Sequence, residues 1–283
     1  MTNKKRFSRI LLYIAVLLIV VWTLAPYIWL VISSLSYKID LISVPLKWIP
    51  TRLTFDNFKA LFFSQGAETV NATLFLRSLK NSTIISISTM LICLPLGVLA
   101  AYSATRLKFK GNKSVILISM ITQLIPPIVL VIPLYVILRR FLLLDTQFGL
   151  ILVDISIGLP LVIWMMRGYL SSIPRELEDA ARIDGCTYLG ALVRVILPLA
   201  GPGLASVMIF AFIASWNEYL YSYIFTNVQA KTLPVLIGEF STKLGLEYLK
   251  IAAAGVLASL PPVGLALVFQ KFIIRGLTSG AVK

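Results

Sequence analysis

The 283-residue chain contains no histidine. That removes the commonest general acid-base group and the commonest metal ligand at neutral pH. Cysteine is nearly as scarce. Cys93 lies in an apolar run and Cys186 in a polar interval, so the two thiols make no metal site by themselves, and with a dry layer expected between them no disulfide is expected. Acidic residues number 12 against 26 lysines and arginines, for a formal charge of +14. The basic residues are scattered at the ends of apolar runs, and no compact basic domain exists to hold a nucleic-acid duplex. A phosphate loop is missing too. Gly111-Asn112-Lys113-Ser114 has neither the Gly-Lys-Ser/Thr order nor the leading glycine, so the chain has no means of hydrolysing ATP alone. No cofactor or metal is expected on it.

What is abundant is hydrocarbon. Hydrophobic residues make up 58% of the chain and the mean hydropathy is +0.90, beyond the composition of a soluble domain. Six apolar runs occupy about 10–35, 84–104, 115–138, 150–166, 204–225 and 251–269, each near the roughly 20 residues that cross a bilayer as a helix. The expected fold is therefore an all-α polytopic membrane protein of six transmembrane helices in a single domain, with both termini on one side. Lys4, Lys5, Arg6 and Arg9 precede the first run, which is too long for a signal-peptide core and reads as a retained helix. The termini and the alternate loops on their side hold 15 of the 26 basic residues, which places that side in the cytoplasm. The interval 36–80 is polar, with residues 53–62 spaced for a short interfacial helix. Asn71-Ala72-Thr73 and Asn81-Ser82-Thr83 match a glycosylation triplet that arises often by chance. Prolines 26, 95, 126, 127, 133, 160, 261 and 262 fall in the runs and predict kinked helices packed on one another.

Residues 174–198, PRELEDAARIDGCTYLGALVRVILP with its flanking prolines, form the longest interval of mixed charge. Pro174 suits a helix start, and Glu176, Glu178 and Asp179 put negative charge at the positive end of the helix dipole. Leu177, Ala180, Ala181 and Asp184 recur at helical spacing, giving a narrow face of small side chains. Gly185 stops this helix, Thr187 caps a second one, and Tyr188, Leu189, Leu192, Val193 and Ile196 form its apolar stripe up to Pro198. A helix, a glycine turn and a second helix make a plug that fits a partner's groove.

The order acid, Ala180, Ala181, Gly185, Val195, Leu197, Pro198 resembles the EAA loop of ABC importer permeases, with Asp179 where glutamate is usual and Val195 where isoleucine is usual. The resemblance implies that Glu178, Asp179, Ala180, Ala181, Asp184, Gly185, Leu197 and Pro198 form a cytoplasmic coupling helix seated in a cleft of an ATP-hydrolysing subunit. Two further segments resemble the carbohydrate-uptake type, similar to the smaller permease of maltose importers. These are Trp216-Asn217-Glu218-Tyr219 in the fifth run and the ending from Gln270 to Lys283. The implied partners are a second permease, two ATP- and Mg-binding subunits, an extracytoplasmic sugar-binding protein and membrane lipid. The implied location is the cytoplasmic membrane of a prokaryote.

For the translocation path the candidates are Pro126 and Pro127, as a bend that gates, and Trp216, Asn217, Glu218 and Tyr219. A carboxylate within a span must face protein or water, and aromatic rings with amide groups suit a polyhydroxylated ligand. The alternative for these residues is a static kink and a structural polar cluster at the membrane interface. Asp154, in the fourth run, is expected to pair with a neighbouring polar group or face the partner permease. Alternatives at the level of the whole chain are a permease of the same class for another solute, an ion-coupled transporter carried by Asp154 and Glu218, and a membrane scaffold with no path.

Overall fold

A computed structural model describes residues 3–45, 47–63, 69–107, 111–240 and 247–278, and all regular structure among them is helical. The order is α1 (Asn3–Ser34), α2 (Lys38–Leu41), α3 (Asp56–Phe62), α4 (Thr69–Arg106), α5 (Asn112–Thr122), α6 (Pro127–Arg140) and α7 (Gln147–Ser172). It continues with α8 (Arg175–Ile183), α9 (Tyr188–Ala191), a π-helical turn (Leu192–Ile196), α10 (Leu197–Leu199) and α11 (Gly201–Trp216). The last are α12 (Leu220–Phe225), α13 (Leu233–Phe240) and α14 (Tyr248–Thr278). Among the described residues, four stretches are long and apolar enough to cross a membrane: Ser8–Ser34, Ala72–Arg106, Gln147–Ser172 and Tyr248–Phe272. Two bent pairs bring the number to as many as six.

The first bend has a cause in proline, and the second follows a turn widened around one. The run expected at 115–138 is two helices at 98°. Pro127 drives the preceding residue out of the helical region, so Pro126 is extended (φ −58°, ψ 130°) and Pro127 opens α6. The second bend, 84°, separates the helical stretch Tyr188–Leu199 from α11. Before it the Leu197 N–H bonds to Leu192 O, five residues back, a wider turn that makes room for the ring of Pro198. The expected 204–225 run is likewise not one helix: α11 ends at Trp216 and α12 begins at Leu220. In the other direction, α4 begins some fifteen residues before the expected 84, because hydropathy marks the apolar part of a helix and not its polar extension. The short helix expected at 53–62 is α3, three residues later in its start.

Packing divides the chain into two compact units, Met1–Leu76 with Leu236–Ser259 and Arg77–Val235 with Leu260–Lys283. In the first, Tyr27 Oη and Ser259 Oγ share a hydrogen bond of 2.8 Å, and Asn57 Nδ2 donates to Ser34 O and Ser36 O at 2.9 and 3.0 Å. The buried carboxylate of Asp40 is met by Lys47 at 3.6 Å and the Thr51 hydroxyl at 3.2 Å. Residues 8–25 of α1 are exposed all round, and the helix meets α14 only from Pro26 onward, so this proline-bearing run packs on its neighbour over its last turns alone.

The second unit holds the core that positions the candidate site. Cys93, Val98, Ala101 and Tyr102 of α4 pack on Val162, Ile163, Met166 and Leu170 of α7, and Leu192, Ile196 and Val207 close the cluster. Lipid tails are as apolar as these side chains, so the helices are held by close contact and not by exclusion of water. Gly97 lets α4 approach α7 closely: a Cβ there would lie 2.4 Å from Val162 Cγ1. Both cysteines are free, Cys93 buried and Cys186 half-buried.

Candidate functional site

Segment 174–198 folds as a helix, a turn and a second helical stretch. Pro174 is the cap residue of α8, one place before the first turn, with Glu176 and Glu178 in that turn. Gly185 takes a left-handed conformation (φ +89°) that glycine adopts without strain. Around it Gly185 N donates to Arg182 O at 3.1 Å and Cys186 N to Ala181 O at 3.0 Å, the paired bonds of a Schellman stop. Thr187 Oγ1 accepts from Gly190 N at 3.1 Å and starts α9. The guanidinium of Arg182 lies 3.5 Å from the ring centroid of Tyr188, so a cation–π contact clamps the two arms.

The inner face of this segment is fixed by a charged cluster that its sequence pattern does not reveal. Tyr102 Oη donates to Glu178 Oε1 at 2.5 Å, and Arg106 Nε stands 3.6 Å from Glu178 Oε2. Both charged side chains are almost wholly buried, 4% and 6% exposed. Arg106 Nη2 also donates to Leu170 O and Ile173 O at 2.7 and 2.6 Å, satisfying carbonyls at the end of α7. Arg175 Nη2 donates to Thr105 O at 2.8 Å. One turn of α4, Tyr102 to Arg106, thus pins α7 and α8 together.

Of the residues expected at a partner's groove, Glu178 and Ala181 therefore face inward. The alanine pair does not share one face: Ala180 is exposed and Ala181 is buried against the core. Asp179, Asp184 and Gly185 are exposed with it, beside Leu177 and Ile183, the latter 86% exposed. No heavy atom lies within 4 Å of where a Cβ on Gly185 would be. The apolar stripe of the second arm also divides: Leu192 and Ile196 are buried, whereas Tyr188, Leu189 and Val193 are exposed. Leu197 is half-buried and Pro198 exposed.

The path candidates lie around a cavity of about 400 Å³ between α4, α6, α7, α11 and α12. Pro127, Asn217, Glu218 and Tyr219 line it. Trp216 does not; it is buried and stacks on Phe212 with centroids 5.4 Å apart. Pro126 sits at the bend, outside the lining. Glu218 is a structural cap: its carboxylate accepts from Tyr221 N at 2.8 Å, Ser222 N at 2.9 Å and Ser222 Oγ at 2.8 Å, which starts α12. Tyr219 is partly exposed and stacks on Tyr223 at 5.5 Å. Tyr221 Oη donates to Pro127 O at 2.8 Å, tying α12 to the bend. Asp154 Oδ2 accepts from Ser215 Oγ, the neighbouring polar group expected for it. Its Oδ1 is buried with no hydrogen-bond partner among the described residues, as is Thr89 Oγ1, and both residues line the cavity.

Away from segment 174–198, a clasp joins the α6–α7 loop to the α12–α13 loop. Asp145, at φ +57°, accepts backbone N–H bonds from Asn227, Val228, Gln229 and Ala230 at 3.0 to 3.1 Å. Burial pushes its carboxyl up, but the four N–H bonds outweigh that and hold it below the usual carboxylate value. Asn81 Nδ2 donates to Gln229 O and Lys231 O at 2.8 and 2.9 Å and its Oδ1 accepts from Gln147. Asn81 is thus a buried cross-link, whatever its triplet resembles. The side chain of Asn71 and residues 279–283 of the ending lie outside the described residues.

A profile described as the binding-protein-dependent transport system inner membrane component matches residues 93–279. The trehalose transport system permease protein SugB of Mycobacterium tuberculosis is 39% identical over 269 residues, 94% of each chain. The trehalose/maltose transport system permease protein MalG of Thermococcus litoralis is 32% identical over 278 residues, 98% of this chain and 97% of that one. The diacetylchitobiose uptake system permease protein DasC of Streptomyces coelicolor is 32% identical over 282 residues, 99% of each. Among solved structures, a chain of a bacterial ABC transporter involved in the import of alginate superposes with a TM-score of 0.75 at 22% identity, over 96% of this chain and 98% of that one. At that identity the likeness shows the fold. The match spans the anchored 174–198 segment and all of the cavity lining except Thr89, and this chain belongs to the family of binding-protein-dependent transport system inner membrane components.

Proposed function

We propose that the chain is a permease subunit of an ATP-driven importer that moves a di- or oligosaccharide into the cytoplasm of a prokaryote. It crosses the cytoplasmic membrane six times, with α5 and α6 forming one bent span and α11 providing another, and both termini inside. Segment 174–198 is the cytoplasmic coupling element and seats its outer face in a groove of an ATP-hydrolysing subunit. The assembly contains a second permease, two such ATPase subunits, which bind ATP and Mg, and an extracytoplasmic sugar-binding protein. The named relatives, transporters of trehalose, maltose and diacetylchitobiose, support the cargo class.

One observation carries the reading. The segment is rigidly tied on its inner face through Glu178 and Arg106 yet leaves Leu177, Ala180, Ile183 and Gly185 exposed on its outer face. An apolar, small-faced surface held in fixed geometry transmits a push; a loop without the anchor would absorb it. In proteoliposomes with the partner subunits, Asp179→Lys or Gly185→Trp abolishes ATP hydrolysis stimulated by sugar-loaded binding protein while the chain stays inserted. Full stimulation in both variants would refute the assignment.

A further inference from the structure

A recess of about 590 Å³ opens where α4 ends, α5 begins and α7 runs into α8, and its polar wall carries Thr105, Asn112, Ser114, Ser171, Arg167 and Arg175. No acidic residue stands among the described residues that line it. Its two guanidiniums differ from their neighbours Arg106 and Arg182, of which the first is paired with Glu178 and the second lies over Tyr188. Arg167 makes no hydrogen bond or ion pair among the described residues, and Arg175 gives one N–H of its five to Thr105 O at 2.8 Å. Glu176, beside Arg175 in sequence, lines the adjoining recess with Arg106 instead. The hydroxyls of Ser114 and Ser171 are likewise without a hydrogen bond among the described residues, and both residues are exposed.

The chemistry of an occupant follows from this wall. Uncommitted guanidinium N–H groups and two hydroxyls are a donor set for phosphate, which arginine grips through two parallel bonds. A zwitterionic headgroup would bring an ammonium for which the recess holds no carboxylate, so the fitting ligand has net negative charge. The rest of the wall is hydrocarbon. Leu117 and Met120 line it one turn apart on α5 and are 59% and 48% exposed. At 1.5 Å per residue Met120 stands about 12 Å along the helix from Asn112, so the recess leads from donors at the start of α5 to bare alkyl groups inside the span. A soluble phosphate ester leaves that second wall unused; a phospholipid covers both. Basic pockets between spans on the cytoplasmic side are where anionic headgroups are held.

Resting on the orientation proposed above, which puts this end of the spans in the cytoplasm, we propose that the recess binds an anionic phospholipid of the inner leaflet, its phosphate held by Arg167 and Arg175 and an acyl chain laid along Leu117 and Met120. Arg175 is the first residue of α8, so the bound lipid braces the start of that helix against α5.

The test places the assembled importer in phosphatidylcholine nanodiscs, titrates a diazirine-tagged phosphatidylglycerol, and reads adducts on this chain by mass spectrometry. Adducts between Leu117 and Met120 are expected. Arg167→Gln, at an exposed side chain with no hydrogen bond or ion pair to lose, should raise the tagged lipid needed for half-maximal labelling roughly tenfold to a hundredfold, the effect of losing a hydrogen bond to a charged group. Arg167→Lys, which keeps the charge and loses the fork, should fall between. Lys271→Gln removes an exposed cation near the C-terminal end of α14, on the same side in the proposed orientation, and should leave labelling unchanged. Equal losses in the two Gln variants would mean a general surface attraction and overturn the site. The lipid assignment is overturned if tagged phosphatidylethanolamine labels as strongly, if inorganic phosphate or glycerol 3-phosphate suppresses the adducts, or if none form between Leu117 and Met120. A separate arm checks the orientation by treating intact protoplasts that carry Arg167→Cys with a membrane-impermeant maleimide. Labelling from outside above that of the parent chain would overturn the orientation itself; absent such labelling, missing lipid adducts overturn this proposal alone.

Discussion

Replacing Glu178 by leucine should loosen the 174–198 segment more than any substitution on its outer face. The carboxylate takes the Tyr102 hydroxyl at 2.5 Å and lies 3.6 Å from Arg106 Nε, with both charged side chains over 90% buried. At 3.6 Å the second contact is an ion pair without a hydrogen bond. Removing one member of a buried pair leaves the other charge uncompensated, at a cost of about 3–5 kcal/mol. Arg106 keeps its two carbonyl acceptors at 2.7 and 2.6 Å, which puts the expectation at the lower end, about 3 kcal/mol. Glu178→Gln keeps the shape and an oxygen for Tyr102 but loses the charge, for roughly half that cost. For a unit of this size a kilocalorie moves the melting temperature by about 2–4 °C, so the two variants should melt roughly 6–12 °C and 3–6 °C below wild type in detergent. Limited proteolysis after Arg175 or Arg182 should accelerate in the same order. Leu and Gln variants that melt within about 1 °C of wild type would refute the anchor, and with it the rigidity on which force transmission rests.

Asp145→Asn should cost about 1–2 kcal/mol at neutral pH, a range reduced for its half-exposed position, and Asn tolerates the left-handed backbone there. Because the folded carboxyl lies below its unfolded value, the clasp is fully present above about pH 4 and is lost as pH falls through the folded value. The difference in melting temperature between wild type and variant should therefore be present at pH 7 and shrink below pH 4; a constant gap would contradict the charge-based account. Gly97→Ala places a Cβ against Val162 and should destabilise by about 1–3 kcal/mol, with Val162→Ala recovering most of the loss in the same background. Additive losses in that double-mutant cycle would mean that the two helices do not meet at this glycine.

The apolar runs were legible because lipid demands them: each falls on helix, four on long helices, one on the bent pair of α5 and α6, and one on α11 and α12. The bend at Pro126 and Pro127 was also legible, since the second proline forbids a helical conformation at the first. Helix ends were less so. Residues 69–83 look like loop by hydropathy yet extend α4, because Ser78, Asn81 and Ser82 turn inward to protein and need no hydrocarbon. In segment 174–198 the glycine stop and the threonine cap were readable from local chemistry, but the facing of each acid was not. Glu178 looks like Glu176 and Asp179 in sequence, and only the guanidinium and phenol offered from α4 turn it inward. Tyr102 and Arg106, one turn apart at the end of a span, were the available signal. Glu218 was misleading for a similar reason: an acid near an apolar run suggested a ligand, whereas three residues on it caps α12. Asp154 and Thr89 leave no trace in sequence as a pair, since 65 residues separate them and only the packing of α4 against α7 brings them to one cavity.

The proposed function requires that the ATP-hydrolysing partner clasp the outer face of α8. A photo-crosslinking amino acid at position 183, 86% exposed in the isolated chain, tests it within the assembled importer. An adduct to the ATPase subunit whose yield changes on ATP binding is the predicted result. Adducts only to lipid, or none while the same probe at position 42 in the other unit reacts, would contradict it.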